Sequence, residues 1–236
     1  MAMEKPRVLQ TTLRLQSLSH PNPAIVSVDG DVETLLGCSA LALLRGDVAL
    51  FSLVHPDDHD IVSAIRACPL NAQPVVSNIR IRQLNGRIRC LVAQYAMEPA
   101  TSGAATTLFL RLQDARSLFK LEDAKGIDTS LRAMLENTND FIFFKNRHHV
   151  FTSASQTLVA ITKPATRWTD LIGQTDYEVF PEAYADIYYR LEKQIYAGLP
   201  VAQEIQVFQT NAGQHGWVDN RKFPIQNPQG EIIGLF

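Results

Sequence analysis

The sequence predicts an α+β fold made of two similar units, each a five-stranded antiparallel sheet with helices on one face. Three observations support this prediction: landmarks that recur at one spacing, strand-like alternation late in each half, and enough apolar residues for two cores. The chain has 236 residues, of which 46% are hydrophobic and 19% are charged. This composition is typical of soluble globular domains, and the length suits two domains of roughly 100–120 residues.

Glycine and proline residues of the first half recur in the second half. The matched pairs lie 125 to 127 residues apart and are Gly46 with Gly173, Pro56 with Pro181, Gly86 with Gly213, and Pro99 with Pro224. Landmarks that share one offset are the signature of an internal repeat. A duplication with a period of about 126 residues is therefore the simplest explanation.

Each unit is predicted to hold an opening strand, short helices, a longer helix and three antiparallel strands. Period-2 alternation marks the strands, and apolar positions three and four residues apart mark the helices. Asn85-Gly86 favours a hairpin turn between two of the strands. The predicted ranges are strands 24–28, 75–82, 88–95 and 106–112 with helix 61–67, then strands 140–145, 201–209, 216–225 and 231–236 with helix 182–197.

We expect domain boundaries at 1–114 and 137–236, with a helical connector at 115–136. Apolar residues on one helical face support the connector: Leu118, Leu121, Leu131, Met134 and Leu135. Gly126 is expected to break this helix, and Asp128 or Thr129 to cap its second part.

The stretch from His55 to Asp60 holds two histidines and three aspartates, which raises the question of a metal or acid–base site. Proline at the first helical position with acids in the first turn favours a helix start. The matching Phe180-Pro181-Glu182 keeps the proline and the acid without a histidine. We therefore expect a helix start and no metal.

A small enzyme is the least favoured alternative, because nucleophile–base spacing and known catalytic motifs are absent. Its candidate residues would be Asp57, Asp58 and His59, or Asp176, Glu178 and His215.

Several motifs resemble PAS domains. In the first unit these are "LVHPDD" before a helix and "RIRQLNGRIRCLV"; in the second they are "LIGQTDYEVFPE", "YAGLPV" and "GWVDNRKFPIQNPQGEIIGLF", which match more closely. The resemblance covers about 20–114 and 129–236. It implies a tandem sensory region without catalytic activity, which binds a small ligand or a partner.

The first unit departs from the PAS pattern. Only 18 positions separate Val28 from Gly46, against 29 between Phe144 and Gly173. The helices that wall a PAS pocket are therefore expected to be abbreviated in the first unit, which favours a partner-binding or dimerising role there. The second unit ends inside its last expected strand, so we expect the chain to be a fragment of a longer protein.

Cofactors that other PAS domains carry are not expected. Cys38, Cys68 and Cys90 lack the Asn-Cys-Arg-Phe context of covalent flavin sensors. The predicted helix 182–197 has no histidine for haem. His148 and His149 follow a strand, where we expect them to be solvated.

We expect an apolar pocket in the second unit, with a plain packed core as the alternative. The candidate residues are Phe141, Phe143, Leu158, Val159, Ile187, Leu191, Ile195, Ile205, Val207, Trp217, Asn220 and Arg221. Either face of strand 216–225 would bring a polar group inside, which needs a counterpart. Arg221 or Asn220 could anchor a ligand carboxylate; the alternative is exposure of these groups on a dimer or solvent face.

The resemblance extends to receptors for diffusible fatty-acid signals, in which a partner-binding PAS-like domain precedes a ligand-binding one and cyclic-di-GMP turnover domains follow. We therefore expect a quorum-sensing type of sensor with a fatty-acid-like ligand. The alternatives are a dimerisation or protein-interaction module without ligand, and the sensor of a histidine kinase. We expect a homodimer and a protein partner at the first domain.

Charge and hydropathy add further expectations. The net charge is −2 and no Lys/Arg run occurs, so no nucleic acid is expected as a partner. Arg80, Arg82, Arg87 and Arg89 flank a turn and are expected on a solvated sheet face. No membrane span or signal peptide is recognised, and three unpaired cysteines suit a cytoplasmic location.

Overall fold

The computed structural model describes residues 8–70, 72–99, 106–118 and 129–236. The chain divides into two compact units, Met1–Leu118 and Phe119–Phe236. No helix within these described ranges is long and apolar enough to cross a membrane.

The first unit contains one five-stranded sheet in which all neighbouring strands are antiparallel. Its strands are β1 (Gln10–Gln16), β2 (Ala24–Gly30), β3 (Val75–Arg82), β4 (Ile88–Glu98) and β5 (Thr107–Asp114). Its α-helices are α1 (Val32–Leu36), α2 (Ala40–Arg45) and α3 (His59–Arg66), with 3₁₀ helices at Leu50–Leu53, Pro56–Asp58 and Ala115–Leu118. The strand order is β2-β1-β5-β4-β3.

Alternation in sequence explains the core of the first unit. Leu108, Leu110 and Leu112 on β5 are all buried and point to one face of the sheet. Val62 and Ile65 of α3 belong to the same apolar cluster as these leucines. The sheet and helices of this unit therefore bury their apolar faces in one shared core.

The first strand of the first unit was missed by the sequence prediction, and this changes the reading of its helices. Val28 lies on β2, whereas Phe144 lies on the first strand of the second unit. The distance from Val28 to Gly46 is therefore measured from the second strand of its unit, whereas the distance from Phe144 to Gly173 is measured from the first strand of its unit. The expected abbreviation is wrong, because α1, α2 and two 3₁₀ helices all lie between β2 and α3.

The His55–Asp60 stretch begins a helix, as predicted, but its second aspartate has another role. Pro56 opens a 3₁₀ helix that leads into α3, and the His55 ring accepts a hydrogen bond from the Asp57 amide. Asp58 is fully buried and accepts hydrogen bonds from Arg80 at Nε (2.9 Å) and Nη2 (2.8 Å). The expectation that Arg80 is solvated is therefore wrong: this edge of the sheet is fixed by a buried ion pair.

Residues 129–236 of the second unit contain six strands and three α-helices. The strands are β6 (Phe143–Asn146), β7 (Phe151–Ala154), β8 (Ala202–Gln209), β9 (His215–Lys222), β10 (Pro224–Gln226) and β11 (Ile232–Leu235). The helices are α4 (Thr129–Asn137), α5 (Asp176–Val179) and α6 (Glu182–Tyr196), with 3₁₀ helices at Gln156–Ile161 and Trp168–Leu171. Hydrogen bonds join β10-β11-β6-β7 in one sheet and β8-β9 in another.

Only Phe223 separates β9 from β10, and its backbone exchanges two hydrogen bonds with Phe236. If β9 and β10 are taken as one interrupted strand, the strand order becomes the same as in the first unit. The predicted α+β class, with a five-stranded antiparallel sheet, a second sheet and helices, is confirmed.

The connector prediction is only partly covered by the structure. A 3₁₀ helix spans Ala115–Leu118, and α4 (Thr129–Asn137) carries the predicted helical residues Leu131, Met134 and Leu135. The expectations for Leu121, Gly126 and Asp128 lie outside the described residues.

Candidate functional site

A cavity of about 150 Å³ lies in the second unit. Aromatic side chains form much of its wall, and Leu158 and Ile161 of a 3₁₀ helix complete the apolar part; the rings are Phe141, Phe143, Phe151, Phe180 and Tyr188. Two edge-to-face pairs hold this wall: Phe143 with Phe151, 6.2 Å apart, and Phe180 with Tyr188, 5.0 Å apart. Such pairs are the preferred packing of aromatic rings, so the wall has a defined shape.

Strand β9 and Asp176 of α5 supply the polar part of the wall. Val218, Asn220 and Lys222 have one parity and point inward, with Lys222 only 1% exposed. Residues of the other parity are exposed, although Asp219 and Arg221 still reach the edge of the cavity. Arg221 and Asp219 pair with each other there. The inward face thus brings a lysine into the protein.

Lys222 belongs to a cluster of five buried titratable groups, which we call the charge cluster: Lys145, His149, Asp176, Glu192 and Lys222. Glu192 is its centre. One carboxylate oxygen accepts from Lys145 Nζ at 2.7 Å and from Lys222 Nζ at 3.3 Å, while the other lies 2.8 Å from Nδ1 of His149. Lys145 also donates to Asp176. The buried ammonium groups therefore have internal counter-ions.

The pKa values of the groups in the charge cluster shift in different directions. Burial raises the pKa of Asp176 to about 6, against the attraction of Lys145. Burial would also raise the pKa of Glu192, but Lys145, Lys222 and His149 outweigh it and hold that pKa well below its usual range. Burial lowers the pKa of Lys222, since Glu192 offsets only part of the cost of desolvation. Lys222 is thus the less well compensated of the two lysines.

The histidine pair is not solvated, contrary to the prediction. His149 is 2% exposed, has φ = 63°, and stacks on Tyr189 with ring centroids 4.1 Å apart. Asn146 forms the turn before it, because its side-chain oxygen accepts from the amides of His148 and Val150. Burial lowers the pKa of His148 to about 4. Asparagine favours such turns, so Asn146 was a sequence signal for the turn. It gave no indication that His149 is buried.

The candidate residues separate into three groups. Those that line the cavity are Phe141, Phe143, Leu158, Asn220 and Arg221. Leu191 and Ile195 instead form a separate apolar cluster with Ala202 and Leu235, against which Ile187 packs, and Val159 is buried without lining the cavity. Ile205 and Trp217 do not close the cavity, because they are 68% and 74% exposed; Val207 shares their face at 37%.

The sequence also pointed to an acid–histidine group that the structure does not assemble. Asp176 belongs to the charge cluster, whereas Glu178 accepts hydrogen bonds from Thr175 at the start of α5. His215 is exposed at the start of β9. These three residues therefore form no joint site.

A second cavity, of about 310 Å³, adjoins the first. The two share Ile161, Phe180 and Tyr188 as lining residues. The second is bounded further by Tyr184 of α6 and by Phe208 of β8. The Phe180–Tyr188 pair therefore lines both spaces.

Comparison with known families assigns the fold of this unit. The family described as "PAS fold" matches residues 135–236, so this part of the chain has a PAS fold. No curated protein matches the chain.

Two solved structures have low similarity to this chain. VqmA of Vibrio cholerae, solved with ligand and DNA, is 20% identical over 46% of this chain, with a TM-score of 0.41. This chain spans about half, 49%, of that VqmA chain. An RNA-binding Light-Oxygen-Voltage receptor is 11% identical over 96% of this chain and 93% of its own, with a TM-score of 0.35.

Proposed function

We propose that this chain, whose residues 135–236 have a PAS fold, is a non-catalytic sensory region whose second unit binds a small organic ligand. The observation that carries the proposal is the aromatic cavity with a buried lysine in its wall. Ligand sites are typically concave and apolar, with a few placed polar groups. A ligand that prefers one packing of this wall would shift the unit toward that packing.

The ligand class and the output extend this proposal. A fatty-acid-like signal suits an apolar cavity with a cation, and the adjoining second cavity offers room for a longer chain. The output would be cyclic-di-GMP turnover, or alternatively a histidine kinase, in a domain outside this chain. Both outputs rest on the resemblance in the sequence.

For the first unit we propose a PAS-like domain at 1–114 that binds a partner or dimerises, followed by a helical connector at 115–136. Its strand order, β2-β1-β5-β4-β3, supports a relation to the second unit. This unit retains its helices, so the case for partner binding rests on the family resemblance.

A melting experiment tests ligand binding. A medium-chain unsaturated fatty acid at saturation is expected to raise the melting temperature of the second unit by several degrees, because a ligand that binds only the folded state stabilises it. Val218→Phe, which places a ring in the cavity, is expected to reduce this shift. Val207→Phe, on the exposed face of the same hairpin, is the matched control and should keep it.

A detergent of similar chain length controls for non-specific binding of the acid. Native mass spectrometry of the purified chain would show any retained small molecule directly. The proposal fails if the acid shifts melting no more than the detergent does and no retained molecule is found.

One observation favours the alternative of an interaction module. Trp217 and Ile205 are 74% and 68% exposed, and Val207 lies opposite Trp217 in the β8-β9 ladder. Contiguous exposed apolar groups often mark protein–protein contacts. Under this alternative the outer face of the hairpin would bind a second copy or another protein.

Sedimentation velocity tests that alternative. If the hairpin face holds a homodimer, Trp217→Glu is expected to convert it to a monomer at micromolar concentration, since a buried unpaired charge opposes association. Thr169→Glu, at an exposed position on the 3₁₀ helix Trp168–Leu171, should leave the dimer intact. A Trp217→Glu protein that stays dimeric, or a wild type that is monomeric, would count against this interface between copies.

A further inference from the structure

Lys222 has spare hydrogen-bonding capacity at the cavity wall. Among the described residues its ammonium donates only to Glu192, at 3.3 Å, although it carries three N–H groups. The other close groups are aromatic faces: the nitrogen lies 4.2 Å from the ring centre of Phe143 and 5.4 Å from that of Tyr188. Ring faces stabilise the cation but accept no conventional hydrogen bond. The ammonium can therefore bind a further acceptor.

A second buried donor lies on the same inner face of the hairpin. Gln206 is 6% exposed, and its carbonyl oxygen accepts from Asn220 at 3.1 Å. Its Nε2 has no hydrogen-bond partner in the part of the chain that the structure describes. Gln206 lies opposite Val218 in the ladder, and both Val218 and Asn220 line the cavity. A buried donor without a partner costs free energy, which a ligand acceptor would recover.

We infer that Lys222 anchors the head of the ligand and that this head is a carboxylate on a hydrocarbon body. The inference rests on the proposed function, since it names the chemistry of the ligand for the same cavity. Arg221, which the sequence favoured as an anchor, is exposed and already paired with Asp219. Lys222 is buried, and its charge is the less well compensated of the two lysines in the cluster.

The charge cluster can accommodate the added negative charge. When His149 is neutral, the two lysines and the two ionised carboxylates balance each other, so a ligand carboxylate adds one negative charge. Asp176, with its raised pKa, is the carboxyl that takes up a proton most readily in response. The buried charge then remains balanced, which a buried site requires.

The volume of the first cavity limits the size of the hydrocarbon part of the ligand. The cavity has about 150 Å³, and an engineered apolar cavity of about the same volume accepts a benzene ring of about six carbons. A body of this size fits beside Phe143 and Phe151 without movement of the wall. A longer chain would require displacement of the Phe180–Tyr188 pair toward the second cavity.

Titration calorimetry on the whole chain tests the head group with hexanoate and hexanamide, which share the body and differ in charge. Wild type is expected to bind hexanoate at least about tenfold more tightly, because a hydrogen bond to a charged partner is stronger than a neutral one. Lys222→Met keeps a similar length, and should abolish this preference while it binds hexanamide within about twofold of wild type.

Matched variants separate Lys222 from other cations. Lys193→Met removes a lysine that does not line the cavity, and should keep the preference. Arg221→Met tests the other candidate anchor. If it abolishes the preference and Lys222→Met does not, Lys222 is not the anchor and the inference is overturned.

The wild-type comparison decides the matter even if Lys222→Met does not fold. Equal affinity for hexanoate and hexanamide overturns the carboxylate head while leaving a ligand-binding cavity in place. Binding of neither probe also overturns the inference. The broader proposal fails separately, only if native mass spectrometry and the fatty-acid melting experiment are negative as well.

Discussion

Replacing Glu192 by glutamine is expected to lower the free energy of unfolding of the second unit by about 3–5 kcal/mol. Glu192 is fully buried and bonds Lys145, Lys222 and His149. Removal of its charge leaves two buried ammonium groups with Asp176 as the remaining counter-ion in the charge cluster. Breaking a buried ion pair from one side is costly, because the partner remains desolvated.

Urea unfolding followed by tryptophan fluorescence measures this effect in the right unit. Both tryptophans of the chain, Trp168 and Trp217, lie in the second unit. Glu204→Gln is the control, because Glu204 forms a surface ion pair with Arg190 that is expected to contribute less than about 1 kcal/mol. A Glu192→Gln midpoint within error of the Glu204→Gln midpoint would contradict the role assigned to the charge cluster.

The second large effect is expected in the first unit, where Asp58→Asn should also cost about 3–5 kcal/mol. Asp58 accepts from the backbone amide of Arg80 as well as from two guanidinium nitrogens. Asparagine retains the shape but loses the charge that neutralises Arg80, and the NH₂ group that replaces one carboxylate oxygen can only donate. The neighbouring Asp57 provides a natural comparison, since its side chain is 63% exposed and lies 3.7 Å from Arg80 Nη2.

Far-UV circular dichroism reports both units in the same urea titration, and tryptophan fluorescence identifies the part of the transition that belongs to the second. Asp58→Asn should shift the dichroism transition to lower urea. Asp57→Asn should lower the free energy of unfolding by less than about 1 kcal/mol. Equal shifts for the two aspartate variants would show that the buried pair does not stabilise this unit as argued.

Strands with strict alternation were the predictable part of the fold. The predicted ranges 75–82, 88–95 and 106–112 correspond to β3, β4 and β5, which end within three residues of the expected positions. Two strands were missed for different reasons. The four residues of β7, "FTSA", are too few to show a period, whereas β1 does alternate, with Leu13 and Leu15 buried, but lies before the region in which the glycine and proline landmarks recur. Neighbouring strands supply the hydrogen bonds that make these segments extended.

Only those parts of the candidate site that depend on short-range sequence patterns were predictable. The aromatic wall followed from apolar residues near Phe141 and Leu158, but the orientation of β9 did not, because both of its faces mix apolar and polar groups. The face that turns inward is the one on which Lys222 reaches Glu192, 30 positions away in the chain. The partnership of Lys145 with Glu192, 47 positions apart, is likewise a product of the fold. No local pattern in one sequence reports such pairs.

The interruption between β9 and β10 at Phe223 has a consequence for local opening of the second unit. The β8-β9 hairpin carries Lys222 at its last position and shares no ladder hydrogen bonds with the four-stranded sheet. A two-stranded ribbon opens at a lower free energy than a strand held on both sides. Local opening of the second unit is therefore expected to begin at this hairpin, and such opening would separate Lys222 from Glu192.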